Sequence, residues 1–293
     1  MTRERKESAA REQQRPALSL SKEGAHDLYV LLKALSFREH ALLHAGPHGL
    51  RVTVDDARSL QGTAYIEKDA FSKFEVHNRD GAVREEVELK LPLNVLCECL
   101  NLFGAAGASS MTSAGGLSAA AASVAGGTVN ITYASYGAPL RVLMEDSGVI
   151  TDCKIRTLEA EPTLDFEFED ANVCSKAILR AAALRETFAD LELSGADHLV
   201  VAVVAEPRKN LRFSTKGDYG EIETDLPETS EVVERLVVSR AHVNRYRLSL
   251  VKKTLKALAI ASKVNFLEFF CVADTDAYDD DEVDNDAADS QSH

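Results

Sequence analysis

Asp165, Glu167 and Glu169 alternate with Phe166 and Phe168, so on a strand three carboxylates share one face while two rings turn to the other. An Asp-x-Glu pair of this kind opens the first acidic motif of many metal-dependent nucleases, because two hard oxygen donors can hold a divalent ion. The plainer reading is a half-buried strand with a solvated acidic face, and no further Asp or His cluster of recognisable spacing completes a site. His40, His44 and His48 recur every four residues, which on a helix would make a metal-binding face, but Gly46-Pro47 turns the chain inside that run and breaks the register. The five cysteines include no C-x-x-C pair. Cys97 and Cys99, two apart on a helical segment, point in different directions, which speaks against zinc and for reduced intracellular thiols. A Gly-rich phosphate loop, a Gly-x-Ser-x-Gly elbow and a Cys/His nucleophile pair are absent from the sequence. The residues make no positive case for catalysis, a metal or a cofactor.

Basic residues at helical spacing suggest other chemistry. Lys176 and Arg180 lie four apart in Asn172–Leu193, a run whose periodicity predicts a helix with Ile178, Leu179 and Ala182 on its buried side. In a second predicted helix, Arg245–Ala261, the residues Arg245, Ser249, Lys252 and Lys256 share one face, opposite Val251, Leu255 and Leu258, with Lys253 beside the polar face. Lys33 takes a similar place on the first predicted helix, His26–Phe37. Such faces are either the ordinary solvated sides of amphipathic helices or a sequence-neutral surface for nucleic-acid phosphates.

The elements that would position these residues occur twice. The helix His26–Phe37 leads into strands His40–His44 and Gly49–Val54, and Asn172–Leu193 leads into His198–Val204 and Leu211–Thr215. Each half then adds strand-like runs, a second helix and closing strands. A repeat of more than about 100 residues is a duplicated domain, since solenoid periods are about 20–50 residues. The reading is therefore α+β, with two similar domains that each carry an antiparallel sheet and two helices. Residues 1–17 form a charged tail, 18–155 the first domain with a Gly/Ala/Ser loop over 104–127, 156–162 a linker, 163–273 the second domain and 274–293 an acidic tail. The copies differ at their ends: three strands, Val129–Tyr133, Leu140–Met144 and Val149–Ile155, close the first domain, whereas only Ser262–Val272 remains to close the second. The second copy is short by about one hairpin.

Of the 293 residues 45% are hydrophobic and 27% charged, the balance of a soluble globular protein, and the longest apolar runs fall far short of the roughly 20 residues that span a bilayer. Met1–Pro16 has no apolar segment and reads as neither signal peptide nor anchor. The net charge of −14 is concentrated, because nine acidic residues and no Lys or Arg lie in Asp274–His293, and without them it falls to −5. The charge of the whole chain therefore does not argue against an anionic partner for the folded part.

Leu32–Ala41 continuing through Gly49–Ala57, then Tyr136-Gly-Ala-Pro-Leu140, Gly148–Ile155, Thr163–Phe168 and Val243–Leu250 jointly resemble, in order and spacing, the Rad-one family, one of the subunit types of the nine-one-one DNA-damage checkpoint clamp. The resemblance spans about Leu18 to Ala273. It implies a DNA-clamp fold like that of proliferating cell nuclear antigen, with helices lining a hole and sheets outside. It further implies a non-enzymatic subunit of a nuclear heterotrimer with Rad-nine-type and Hus-one-type subunits, set around double-stranded DNA by a checkpoint clamp loader and serving checkpoint and repair proteins. On that footing Lys33, Lys176, Arg180, Arg245, Lys252, Lys253 and Lys256 become candidate residues of the pore helices, and neither metal, cofactor nor membrane is expected. Two alternatives stay open: a metal-dependent 3′→5′ exonuclease using Asp165-x-Glu167, an activity credited to some members of the family, and a homotrimeric processivity clamp. The departure from the family is the missing hairpin, since Val264-Asn265 passes directly into Phe266. A skipped exon or a faulty gene model is the preferred account, a truly shortened domain the alternative, and the transcript across codons 260–270 distinguishes them.

Overall fold

In this computed structural model, residues 15–77, 86–102, 127–146, 148–162, 173–260 and 266–274 are described. The first domain runs β1 (Leu18–Glu23), α1 (Ala25–Ala34), β2 (His40–Gly46), β3 (Gly49–Asp56), β4 (Leu60–Glu67), β5 (Lys73–Val76), β6 (Val87–Pro92), α2 (Leu93–Asn101), β7 (Thr128–Tyr133), β8 (Leu140–Asp146) and β9 (Val149–Ile155). The second repeats this order as β10 (Ser175–Leu179), α3 (Ala181–Leu191), β11 (His198–Val204), β12 (Asn210–Gly217), β13 (Gly220–Pro227), β14 (Val233–Val238), β15 (His242–Arg247) and α4 (Leu248–Ile260), then passes to a single last strand, β16 (Phe266–Cys271). The counterparts of β7 and β8 are missing among the described residues, as the sequence leads one to expect.

Period-two alternation builds the first core. Leu18 and Leu20 of β1, Val129, Ile131 and Tyr133 of β7, and Leu140, Val142 and Met144 of β8 turn one face inward, where Leu28, Leu31, Leu32 and Leu35 from the α1 region and Leu93, Leu96 and Leu100 of α2 pack. The second core is a much smaller cluster around Phe188, Leu191, Leu199, Phe213 and Leu236. Its closing sheet is reduced to the pair β10–β14, so β10 has an unpaired edge among the described residues. Beside that edge lies an interdomain cavity of about 1170 Å³, lined by Leu28 and Leu31 of α1, Phe188 of α3, Leu258 of α4 and Leu267 and Phe269 of β16. Among the described residues the absent hairpin therefore leaves a two-stranded sheet and an apolar hollow, both of which weaken the second domain.

The two domains are joined by strand pairing. The last strand of the second domain, β16, adds antiparallel to β4 of the first, giving the sheet order β16-β4-β3-β2-β6. Tyr65 donates from its hydroxyl to Glu268 Oε2 at 2.9 Å, and the Phe37 and Phe269 rings lie 6.4 Å apart between centroids. Gly62 sits opposite Phe269, and a Cβ there would come within 2.8 Å of Phe269 Cε1 and 2.9 Å of Leu35 Cδ2. Glycine is thus required by close approach. Gly62→Val should overpack the joint and cost about 1–3 kcal/mol, read as an earlier denaturation midpoint. An unshifted midpoint would mean that β16 is not seated here.

Two runs that read as helices are part strand. Ser175–Leu179, inside the predicted helix Asn172–Leu193, is β10, held by β14 with a register shift at Ile178/Leu179. Arg245, inside the predicted helix Arg245–Ala261, lies on β15 opposite Val200 of β11, and the helix begins at Leu248. In both places a distant strand supplies hydrogen bonds that override a local sequence compatible with either form. Residues 104–126 of the predicted loop, the predicted acidic strand at Asp165–Glu169 and most of both tails lie outside the described residues.

Candidate nucleic-acid interface

The four helices of the described residues form one layer. α2 packs on α1, α1 meets α4 across the domain boundary, and α4 packs on α3. Each buries an apolar stripe on the sheets and leaves the rest outward. On α4 the exposed positions Ser249, Lys252 and Lys256 recur at three- and four-residue spacing, while Leu248 and Ala257 are buried. Lys33 is exposed in the last turn of α1, where a cation also suits the negative end of the helix dipole.

The seven basic residues expected on pore helices fall into three groups. Lys33, Lys252 and Lys256 are exposed on helices α1 and α4. Lys176 is exposed on strand β10 and Arg180 is the residue before α3, its backbone N–H donating to the Val232 carbonyl at 3.0 Å, so neither belongs to a helix face. Arg245, on β15, donates from Nη2 to His198 Nδ1 at 3.0 Å and is half-buried.

Lys253 has another job. It is half-buried, and its ammonium donates to Asp56 Oδ2 at the end of β3, while Arg38 donates to Oδ1 of the same carboxylate. Asp56 is almost fully buried. Burial alone would raise its carboxyl, but the hydrogen bonds and charges of Lys253 and Arg38 outweigh that and hold it below the ordinary carboxylate range. One carboxylate thus ties α4 of the second domain to β3 and the α1–β2 connection of the first.

Lys252 pairs with Glu192 at 3.4 Å, with both side chains more than a third exposed, so the pair is readily exchanged for another anion. Lys33, Lys176 and Lys256 make no ion pair within 4 Å with a described residue. Sequence reasoning passed over Arg185, exposed on α3, and His198, Arg247 and Asp274, which with Arg245 and Lys252 line a cavity of about 480 Å³ at the start of α4. The i, i+4 pattern from Lys252 pointed along the helix, whereas these residues come from β11, β15 and the segment after β16, which only the fold brings together.

The candidate metal ligands fall elsewhere. His40 and His44 both lie on strand β2, with His44 Nε2 3.5 Å from Glu86. Burial pushes the Cys97 thiol up to about 11, and burial together with a Cys153 contact pushes Cys99 up to about 12, so both stay protonated and poor as ligands. Among the described residues no group of three or more His, Cys, Asp or Glu is placed to hold a metal. Asp165, Glu167 and Glu169 lie outside the described residues. No described helix is long and apolar enough to cross a membrane.

Two domains of one topology, helices on one side and antiparallel sheets on the other, joined edge to edge, make a sliding-clamp fold. The chain is similar to proliferating cell nuclear antigen from Entamoeba histolytica, with a TM-score of 0.66 over 89% of this chain and 100% of that one at 12% identity. It is also similar to the PCNA of Thermococcus kodakaraensis, with a TM-score of 0.61, 87% and 90% coverage and 16% identity. Within that class the chain belongs to the Rad1 family: the family described as Repair protein Rad1/Rec1/Rad17 matches residues 17–267. The cell cycle checkpoint protein RAD1 of Mus musculus is 37% identical over 248 residues, covering 85% of this chain and 81% of the relative, and that of Homo sapiens is 36% identical over 250 residues, covering 85% and 80%. The homologue mrt-2 of Caenorhabditis elegans is 26% identical over 249 residues.

Proposed function

We propose that this chain is one subunit of a nuclear ring clamp that encloses double-stranded DNA, completed by Rad-nine-type and Hus-one-type subunits, placed on damaged DNA by a checkpoint clamp loader, and used as a platform by checkpoint and repair proteins. One observation carries the reading. The end strand of the second domain, β16, is joined to β4 of the first, while the equivalent pair, β9 and β13, has no partner on its outer edge among the described residues. A repeat whose joint is made once inside the chain and left open at both ends associates head to tail, and such an interface closes into a ring when the rotation permits. Open antiparallel edges are ready templates for strand addition. The checkpoint names of the mammalian relatives and the clamp fold support the partners and the DNA.

In this reading the helix layer faces the duplex. Topology supplies the hold, so contacts with phosphates need only be weak and salt-sensitive. Lys33, Lys252, Lys256 and Arg185 are the residues proposed to make them, with Lys176, Arg180 and Arg245 at the margins. Lys253 is assigned to the joint. Neutralising Lys252 and Lys256 together as glutamines should leave the melting temperature unchanged and reduce the salt slope of DNA association by about 2, one per phosphate contact. A slope equal to that of the unaltered chain would remove these lysines from the DNA path.

A further inference from the structure

The basic pocket at the start of α4 already holds an anion, and that anion belongs to the chain itself. The Asp274 carboxylate lies 3.1 Å from His198 Nε2 and 3.4 Å from Arg247 Nε, its side chain is only 13% exposed, and its backbone N–H donates to the Arg245 carbonyl at 2.7 Å. Arg245 donates to His198 Nδ1, and since a guanidinium can only donate, Nδ1 accepts and Nε2 carries the hydrogen given to Asp274. The pocket is therefore polarised toward a carboxylate from both sides.

From this anchor the chain continues through eight more carboxylates between Asp276 and Asp289 without a Lys or Arg. Lys252 forms part of the pocket wall, and Lys256 is exposed one turn further along α4, about 6 Å away by helix rise. Residues 275–289 reach about 50 Å when extended, far more than that distance. We infer that the acidic tail, anchored by Asp274, docks along the exposed basic face of α4 and covers Lys252 and Lys256. Docking rests on charge and reach alone; its consequence, that the tail competes with DNA phosphates, rests also on the function proposed above.

Zero-length carbodiimide cross-linking of the full chain, mapped by mass spectrometry, tests this directly. Carboxylates of 276–289 should become joined to Lys252 and Lys256 in preference to the exposed Lys73 and Lys154 of the first domain. Those links should fall severalfold in Asp274→Ala, and severalfold at about 1 M salt, where the Debye length shrinks to about 3 Å. Links spread evenly over all exposed lysines, or links to α4 indifferent to both changes, would overturn the docking. A short DNA duplex added to the same reaction separates the two readings. Suppression of the tail links supports competition, whereas persistent links, with a chain whose eight tail carboxylates are amides binding the duplex no better, uphold the docking and tell against the nucleic-acid role of this face.

Discussion

Val149→Glu combined with Ile150→Glu should leave the chain folded and abolish the assembly proposed for it with two other clamp subunits. Both side chains are large, apolar and exposed, at 57% and 64%, and they lie at the start of β9, the outer strand of the sheet β5-β1-β7-β8-β9. Being adjacent on a strand they turn to opposite faces, so a neighbour adding to this edge must pass close to at least one of them. In the separate chain the change is a surface substitution worth within about 0.5 kcal/mol. In the proposed assembly it introduces unpaired charge beside the joining edge, where a single anchor is commonly worth at least about 2 kcal/mol, or roughly thirtyfold in affinity. Native mass spectrometry of the mixed subunits should show the complex with the unaltered chain and separate components with the double variant, with superimposable circular dichroism for both chains. Undiminished assembly would place the subunit interface away from β9.

The second large effect concerns the joint inside the chain. Replacing Asp56 by alanine leaves Lys253 and Arg38 without their shared carboxylate. Removing one partner of a buried ion pair commonly costs about 3–5 kcal/mol, and because Arg38 is half exposed and Lys253 a third exposed, about 2–3 kcal/mol is expected here. The loss should appear as separation of the domains: the unfolding transition broadens or splits, the smaller second core melting first. The same group sets a pH dependence. Its folded pKa is below its ordinary value, so it stabilises fully above that value, near 3.8, and the contribution is lost as pH falls further, through the folded pKa. The difference in melting temperature between the unaltered chain and Asp56→Asn should thus be constant at neutral pH and shrink below about pH 4. A difference that persists to lower pH would mean that the carboxylate is not ionised in the folded chain.

Much of the architecture is legible in the residues because it is local. Leu50, Val52 and Val54 alternate, Pro92 starts α2, and the two halves follow the same order. The missing hairpin is legible too, since only residues 261–265 separate α4 from β16. What is not legible depends on distant partners. Ser-Lys-Ala-Ile-Leu at 175–179 fits a helix or a strand until β14 pairs with it, and no Gly or Pro separates Arg245 from the helix that starts three residues later. The same holds for the site. Lys252 and Lys256 could be found by periodicity, but Lys253 sits beside them in the sequence and differs only because Asp56, far away in the chain, lies under it. No spacing rule finds Asp274 in the pocket of His198 and Arg247, which the return of β16 across the domain boundary creates.

That return also locates the consequence of the short second domain. β16 makes the joint to β4 in full while lacking a strand on its other side among the described residues, so the interdomain contact survives and the loss falls on β10 and the hollow beside it. The surface expected to meet the next subunit, β13, belongs to the intact four-stranded sheet β13-β12-β11-β15. The proposed ring contact is therefore separable from the stability of the closing sheet.

A clamp of the proposed kind holds DNA by topology, and retention on circular DNA reads out that hold. The chain assembled with its two partner subunits and loaded on a closed circle should stay bound through a high-salt wash and be released when the circle is cut once. Release from circle and linear DNA alike at high salt would contradict a clamp, and metal-dependent loss of 3′ nucleotides would point instead to the carboxylates of Asp165 and Glu167.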